Sequence, residues 1–288
     1  MSRGSGLRAV LAPVLVASTT LASGPLDRWL DSDHERQRLP GALREVSGLA
    51  LDDRHRLWAH DDERGVLYRI ADGGDEVVER RVLGPEPVLG DFEGLAWDGQ
   101  RFHLTSSTGT LVSFAPGTEE RVESYTVHRT AASEICEVEG LAYDPPSDRL
   151  LLACKTVTHR PWRDHLVVLE VGVPDATDTG ATEPLPVRPR ILVSPDALDE
   201  AGAKPLSPSG ITRAPNDDGW WIVAARQRRI VKVDDDGRVV DEARLPSRHQ
   251  QAEGIVVERG AVLTLVDEGG NGRARITRYE RPEPPRNP

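Results

Sequence analysis

Apolar residues along this chain come in short runs of about four to seven, separated by clusters of Gly, Pro, Asp and Ser. No stretch sustains the 3.6-residue period of an amphipathic helix, although Pro195–Glu200 could form a short one. Five of the runs open alike: Glu45-Val46-Ser47-Gly48-Leu49-Ala50, Asp91-Phe92-Glu93-Gly94-Leu95-Ala96, Glu137-Val138-Glu139-Gly140-Leu141-Ala142, Ser207-Pro208-Ser209-Gly210-Ile211-Thr212 and Gln251-Ala252-Glu253-Gly254-Ile255-Val256. The residue before the glycine moves from Ser47 to Glu93, Glu139, Ser209 and Glu253, in steps of 46, 46, 70 and 44. Three of those steps match a four-stranded propeller blade, roughly 40–50 residues long.

Each unit continues with a second apolar run (Leu57-Trp58-Ala59 in the first, Trp220-Trp221-Ile222-Val223 in the fourth) and a third, such as Val66 to Ile70 or Arg229 to Val233. A fourth is plainest at residues 77–82 and 239–244. The expected fold is therefore all-β: a β-propeller of four-stranded blades, five favoured. The long step reads as an insertion around residues 174–188, rich in Asp, Thr, Gly and Pro; a sixth, degenerate blade between Lys155 and Leu206 is the alternative. The last unit ends at Tyr279 without a fourth run, and Arg36-Gln37-Arg38-Leu39-Pro40 precedes the first unit as Arg244-Leu245-Pro246 precedes the fifth. The N-terminal strand is thus expected to close the ring, which removes exposed sheet edges.

The first residues break the pattern. Arg3 and Arg8 precede an apolar, small-residue run over 9–22, broken only by Pro13 and Ser18-Thr19-Thr20 and ending in Thr20-Leu21-Ala22. That is the layout of a secretory signal peptide, too short for a firm membrane span. The organisation read from this is a signal peptide at 1–22, an N-terminal extension at 23–35, the propeller at 36–280 and a disordered tail at 281–288. The chain is expected to be secreted or periplasmic, and monomeric; an uncleaved N-terminal anchor is the other reading. Cleavage would remove Arg3 and Arg8 and take the net charge from −11 to −13. Such a surface repels phosphate backbones, so nucleic acid is excluded as an expected partner.

The two cysteines, Cys136 and Cys154, each lie nine residues from Pro145 in the turn Asp144-Pro145-Pro146-Ser147. An antiparallel register centred there would set them opposite one another. They could form a disulfide or stay as two buried thiols.

In a propeller the first strand of every blade lines the central channel, so equivalent positions form rings. Ser47, Glu93, Glu139, Ser209 and Glu253 make one ring, and Glu45, Asp91, Glu137, Ser207 and Gln251 a second, nearer the mouth. Crowded carboxylates repel unless protonated or neutralised by a cation, and hard oxygen donors suit calcium or magnesium. The candidate metal ligands are Glu45, Glu93, Glu139 and Glu253; capping of backbone N–H groups at strand starts would explain them equally. At the ends of the second strands stand Asp61, Asp62 and Glu63, then Lys155, Arg226, Asp267 and Glu268. Together with Ser47 and Ser209, this unequal mixture suits a small polar or anionic ligand. His60 and His249 are candidate general bases on the channel face. There is no nucleophile elbow, P-loop or dinucleotide fingerprint.

The Glu-Val-Ser-Gly-Leu-Ala start, the Asp61-Asp62-Glu63 run, the two Glu-Gly-Leu-Ala repeats and Gln251-Ala252-Glu253-Gly254-Ile255 together resemble the SdiA-regulated family, over roughly residues 36–279. That family is related to the esterase-like and phytase-like propellers. The resemblance implies an exported or membrane-associated bacterial propeller, and through the wider group a bound calcium and hydrolysis of phosphate or other esters. The dense carboxylate clusters of the phytases are not clearly matched. Three functions follow: a channel-binding propeller, a calcium-dependent hydrolase, and a non-catalytic extracytoplasmic scaffold.

Overall fold

The computed structural model describes residues 25–175, 183–203, 205–215, 218–258 and 261–283. The signal-peptide segment, part of the 174–188 insertion and the tail beyond 283 lie outside the described residues. A short helix, α1 (Pro25–Leu30), leads into β1 (His34–Arg38). Blade one is β2 (Val46–Leu51), β3 (Leu57–Asp61), β4 (Val66–Ile70) and β5 (Val77–Leu83). Blade two is β6 (Phe92–Trp97), β7 (Phe102–Ser106) and β8 (Leu111–Phe114), then β9 (Arg121–Val122) and β10 (Thr126–His128). Blade three is β11 (Cys136–Asp144), β12 (Arg149–Val157), β13 (Leu166–Gly172) and β14 (Val187–Val193), followed by helix α2 (Pro195–Glu200). Blade four is β15 (Gly210–Arg213), β16 (Trp220–Ala224), β17 (Arg229–Val233) and β18 (Val239–Arg244); blade five is β19 (Ala252–Glu258), β20 (Val262–Asp267) and β21 (Arg275–Glu280).

Five sheets result, and among the described residues no sixth blade is inserted between blades three and four. The excess length there holds α2 and the insertion. Strand β1 completes blade five by pairing antiparallel with β21, from His34 opposite Tyr279 to Arg38 opposite Arg275. One crossing escapes the sequence pattern: β9 leaves blade two to run parallel to β5 on the outer edge of blade one, and the chain then returns as β10. The segment ahead of β1 is also more than an extension, since Leu26, Trp29 and Leu30 are buried against blades four and five.

The core is five apolar layers, each between two neighbouring blades. Strand alternation builds them, because odd and even side chains of one strand enter different layers. Trp220 sits between blades three and four and Trp221 between four and five, both buried. The paired tryptophans therefore bind one sheet to both its neighbours, each burial worth roughly 1.5–3 kcal/mol.

Cys136 and Cys154 form a disulfide across β11 and β12, with Cα atoms 5.6 Å apart. They are diagonal rather than directly opposed: Cys136 pairs with Val157 and Cys154 with Val138. The expected register about Pro145 is offset at the turn itself, since Asp144 pairs with Arg149 and the ladder centres between Pro146 and Ser147; the two shifts, which skip Lys155 on β12 and Glu139 on β11, cancel.

A carboxylate mouth on the channel

The five first strands meet at the axis through their glycines. A Cβ placed on Gly94 would lie 2.6 Å from the Leu141 backbone nitrogen, and one on Gly210 would lie 2.9 Å from the Glu253 carbonyl oxygen. Glycine is required because neighbouring backbones approach too closely for a side chain. The space left along this waist is only about 10 Å³. Beyond it, Leu49, Leu95, Leu141, Ile211 and Ile255 line an apolar bowl of about 220 Å³. The axis is thus plugged, with an apolar side and a polar side.

The polar side is built by β-bulges. The ladder skips one residue between Val46 and Gly48, Phe92 and Gly94, Val138 and Gly140, and Ala252 and Gly254. Those skipped residues are Ser47, Glu93, Glu139 and Glu253. A bulge frees a residue from pairing and re-aims its side chain, and here three glutamates from three blades and one serine line the waist. Ser47 Oγ donates to Glu93 Oε2 at 2.8 Å, and Lys155 Nζ donates to Glu139 Oε1 at 2.6 Å.

Burial, with Glu139 beside it, pushes the Glu93 carboxyl up to about 8, against the Ser47 hydrogen bond. Burial and then Glu139 push Glu253 up to about 7, Lys155 opposing. Burial also raises Glu139, although its bond to Lys155 acts the other way. Lys155 itself is raised: burial lowers it, but the Glu139 hydrogen bond and charge outweigh that, and Glu253 adds to them. At neutral pH this mouth therefore carries partly protonated carboxyls around one ammonium.

The remaining expected residues scatter. Glu45 pairs with Arg44 at 2.8 Å and faces Asp62 rather than the ring. Burial, then Glu45, pushes Asp62 up to about 6, and its Oδ1 is buried without a partner. Asp61 accepts from the Arg64 amide at 3.0 Å and is raised by burial. Glu63 is exposed, as is Arg226, which makes no ion pair or hydrogen bond to a described residue. Ser209 does not face the mouth; its hydroxyl donates to the Ala252 carbonyl at 2.6 Å and accepts from the Ala225 amide at 3.1 Å, stitching blade four to blade five.

Both candidate bases lie inside. His60 is wholly buried behind Gly48 and burial depresses it to about 4, so it stays neutral. His249, also wholly buried, bridges Asp267 Oδ2 at 2.8 Å and the Tyr279 hydroxyl at 2.6 Å. Asp267 therefore turns into blade five, while Glu268 accepts from Gln251 at 2.9 Å. Among the described residues, no three His, Cys, Asp or Glu side chains converge as a ready-made metal cage.

Fold and mouth define a class: a five-bladed β-propeller, plugged at its axis, with a carboxylate-lined mouth. No family model matches the chain, and no curated protein does. Solved structures do. A luciferin-regenerating enzyme is similar at 10% identity and a TM-score of 0.51, covering 86% of this chain and 95% of that one. A virginiamycin B lyase from Staphylococcus aureus is similar at 15% identity and a TM-score of 0.44, over 88% of this chain and 75% of that one. A nidogen/laminin complex gives 17% identity and a TM-score of 0.44, over 77% and 72%. At such identities the likeness is one of fold.

Proposed function

We propose that the protein is an exported propeller whose carboxylate mouth binds a divalent cation, calcium being the natural choice for all-oxygen donors. The observation that carries this reading is the crowding of Glu93, Glu139 and Glu253 around Lys155, with Glu93 held up to about 8 and Glu253 to about 7. Carboxyls raised by burial and then by mutual repulsion gain from a cation, which displaces their protons and relieves the repulsion. Glu93, Glu139 and Glu253 would hold the ion, Ser47 would complete the oxygen set, and Lys155 would swing out, being two-fifths exposed. A bound ion would offer Lewis acidity to a polar ligand. The Cys136–Cys154 disulfide supports export, because such bonds persist in oxidising compartments. The resemblance of the repeat motifs to the SdiA-regulated family adds support for export alone, calcium entering only through the wider phytase-like group.

Calorimetric titration with calcium at pH 7.5 tests it, run in two buffers of different ionisation heat. Saturable binding with proton release is expected, and Glu93→Gln/Glu253→Gln should abolish it. Absence of binding to the wild-type protein would sink the proposal.

A further inference from the structure

A second pocket opens on blade five, about 380 Å³ in volume. In a chain of net charge −11, this pocket is lined by four guanidiniums, those of Arg36, Arg248, Arg273 and Arg275, against two carboxylates, Asp267 and Glu268. Two of the arginines are fixed. Arg36 Nη2 donates to the Arg248 carbonyl at 2.8 Å, and Arg248 reaches the Tyr279 hydroxyl at 3.0 Å and the Leu30 carbonyl at 3.3 Å. The guanidiniums of Arg273 and Arg275 make no hydrogen bond or ion pair to a described residue, although the Arg275 backbone is paired within β21. Burial, and then Arg275, weakens the hold of Arg36 on its proton, with Asp267 opposing.

The pocket also holds an unsatisfied acceptor. Asp267 stands opposite Arg275 in the β20–β21 register, yet its Oδ2 is committed to His249. Its other oxygen, Oδ1, is buried and has no partner, on a residue only 5% exposed. A buried acceptor without a donor is costly to leave unmade. A bare oxyanion placed here would meet the arginines but also face that carboxylate, whereas a ligand with a hydroxyl beside its oxyanion would satisfy both. The volume sits near the lower end of ligand sites, roughly 300–1,000 Å³.

We propose that this pocket binds a small hydroxylated oxyanion: Arg273, Arg275 and Arg36 take the oxyanion, and the hydroxyl donates to Asp267 Oδ1. Planar guanidinium forks suit phosphate and carboxylate alike. The buried chain Asp267–His249–Tyr279, ending on half-buried Arg248, fixes the acceptor and one wall of the pocket, while Arg273 and Arg275 are left to close on the ligand.

The test is calorimetric titration of the full chain at low ionic strength with glycerol 3-phosphate, glycerate, inorganic phosphate and acetate. At least one hydroxylated probe should bind saturably, at least tenfold tighter than its plain counterpart, and the preferred one separates phosphate from carboxylate. Arg273→Gln/Arg275→Gln should weaken that binding at least tenfold with the melting temperature unchanged, since neither guanidinium makes a hydrogen bond or ion pair to a described residue and glutamine keeps the β21 backbone pairing. Glu93→Gln/Glu253→Gln should leave it unaltered, keeping this pocket apart from the channel mouth. Failure of both hydroxylated probes to bind, equal affinity for a plain counterpart, or unchanged affinity in the arginine double variant would each overturn the proposal.

Discussion

Lys155 Nζ lies 2.6 Å from Glu139 Oε1, and through that contact one ammonium serves the carboxylates of three blades, since Glu93 and Glu253 also feel its charge. Glu139 is almost fully buried, whereas Lys155 is two-fifths exposed. Lys155→Met strands a buried carboxylate, the costly way to break a pair. With solvent screening on the lysine side, the loss should be about 1–2 kcal/mol at pH 8. Near pH 5 the neighbouring carboxyls hold protons, and the loss should shrink. Thermal melts of both proteins at the two pH values measure the difference; an equal loss at pH 5 and pH 8 would place Lys155 outside the electrostatics of the mouth.

The raised carboxyls give stability a direction in pH. In the unfolded chain Glu93 and Glu253 release their protons near 4.5; in the folded one they hold them to about 8 and about 7. Between those limits these two groups bind more protons in the folded state, so their contribution to stability falls as pH rises from about 4.5 to about 8 and is level above that, while His60, held neutral down to about 4, opposes them below about 6.5. Glu93→Gln/Glu253→Gln should flatten this slope and raise the melting temperature at pH 8 by several degrees. Calcium added to the wild-type protein at pH 8 should do the same, on the proposed reading of the mouth. A double variant that keeps the wild-type slope would show that other groups set it.

The glycine waist predicts a sharp positional contrast. On Gly94 a methyl group would press on the Leu141 backbone at 2.6 Å, and backbone cannot rotate aside, so blades two and three would have to part. Gly94→Ala should therefore cost about 1–3 kcal/mol or more, the range for overpacking a tight interior. At Gly41 a methyl group meets nothing within 4 Å, and Gly41→Ala should be neutral. Denaturant midpoints of the two variants settle it; similar costs at both sites would deny the glycines their role in closing the ring.

These same glycines explain how much was legible in advance. The repeat marks blades because each Gly answers a steric demand that recurs five times, and the alternation of apolar residues answers to the layers between blades. Strand β1 was legible because Leu39-Pro40 repeats the approach of Leu245-Pro246. The bulges were not, since nothing in the residue types of Glu93 or Glu139 says that the ladder skips them; they point inward through register, which is a property of two strands. Ser209 has the motif but lacks the flanking ladder, so its hydroxyl went to the Ala252 carbonyl. Asp267 and Glu268 looked equivalent to Asp61 and Asp62, until a distant histidine, His249, claimed the first. The arginine pocket was hidden for a similar reason: Arg36 and Arg275 are far apart in sequence and become neighbours only when β1 closes the ring.

That closure makes the last prediction. Strand β1 covers β21 over five paired residues, and just before it α1 seats Trp29 edge-on against Trp221, ring centroids 5.5 Å apart. A chain beginning at residue 23 keeps both elements and should melt as the full chain does. A chain beginning at residue 39 loses both, opening the β21 edge from Arg275 to Tyr279 and uncovering Trp221. An open edge next to freed apolar surface is a template for pairing with another copy. The shorter chain should therefore melt well below the longer one and run as aggregates on size exclusion. A peptide of residues 25–38 added in trans should restore the monomer by supplying the missing strand and helix. If the chain from 39 stays monomeric and melts unchanged, ring closure by the N-terminal strand contributes nothing to stability, and the wall that Arg36 lends to the oxyanion pocket has no structural necessity.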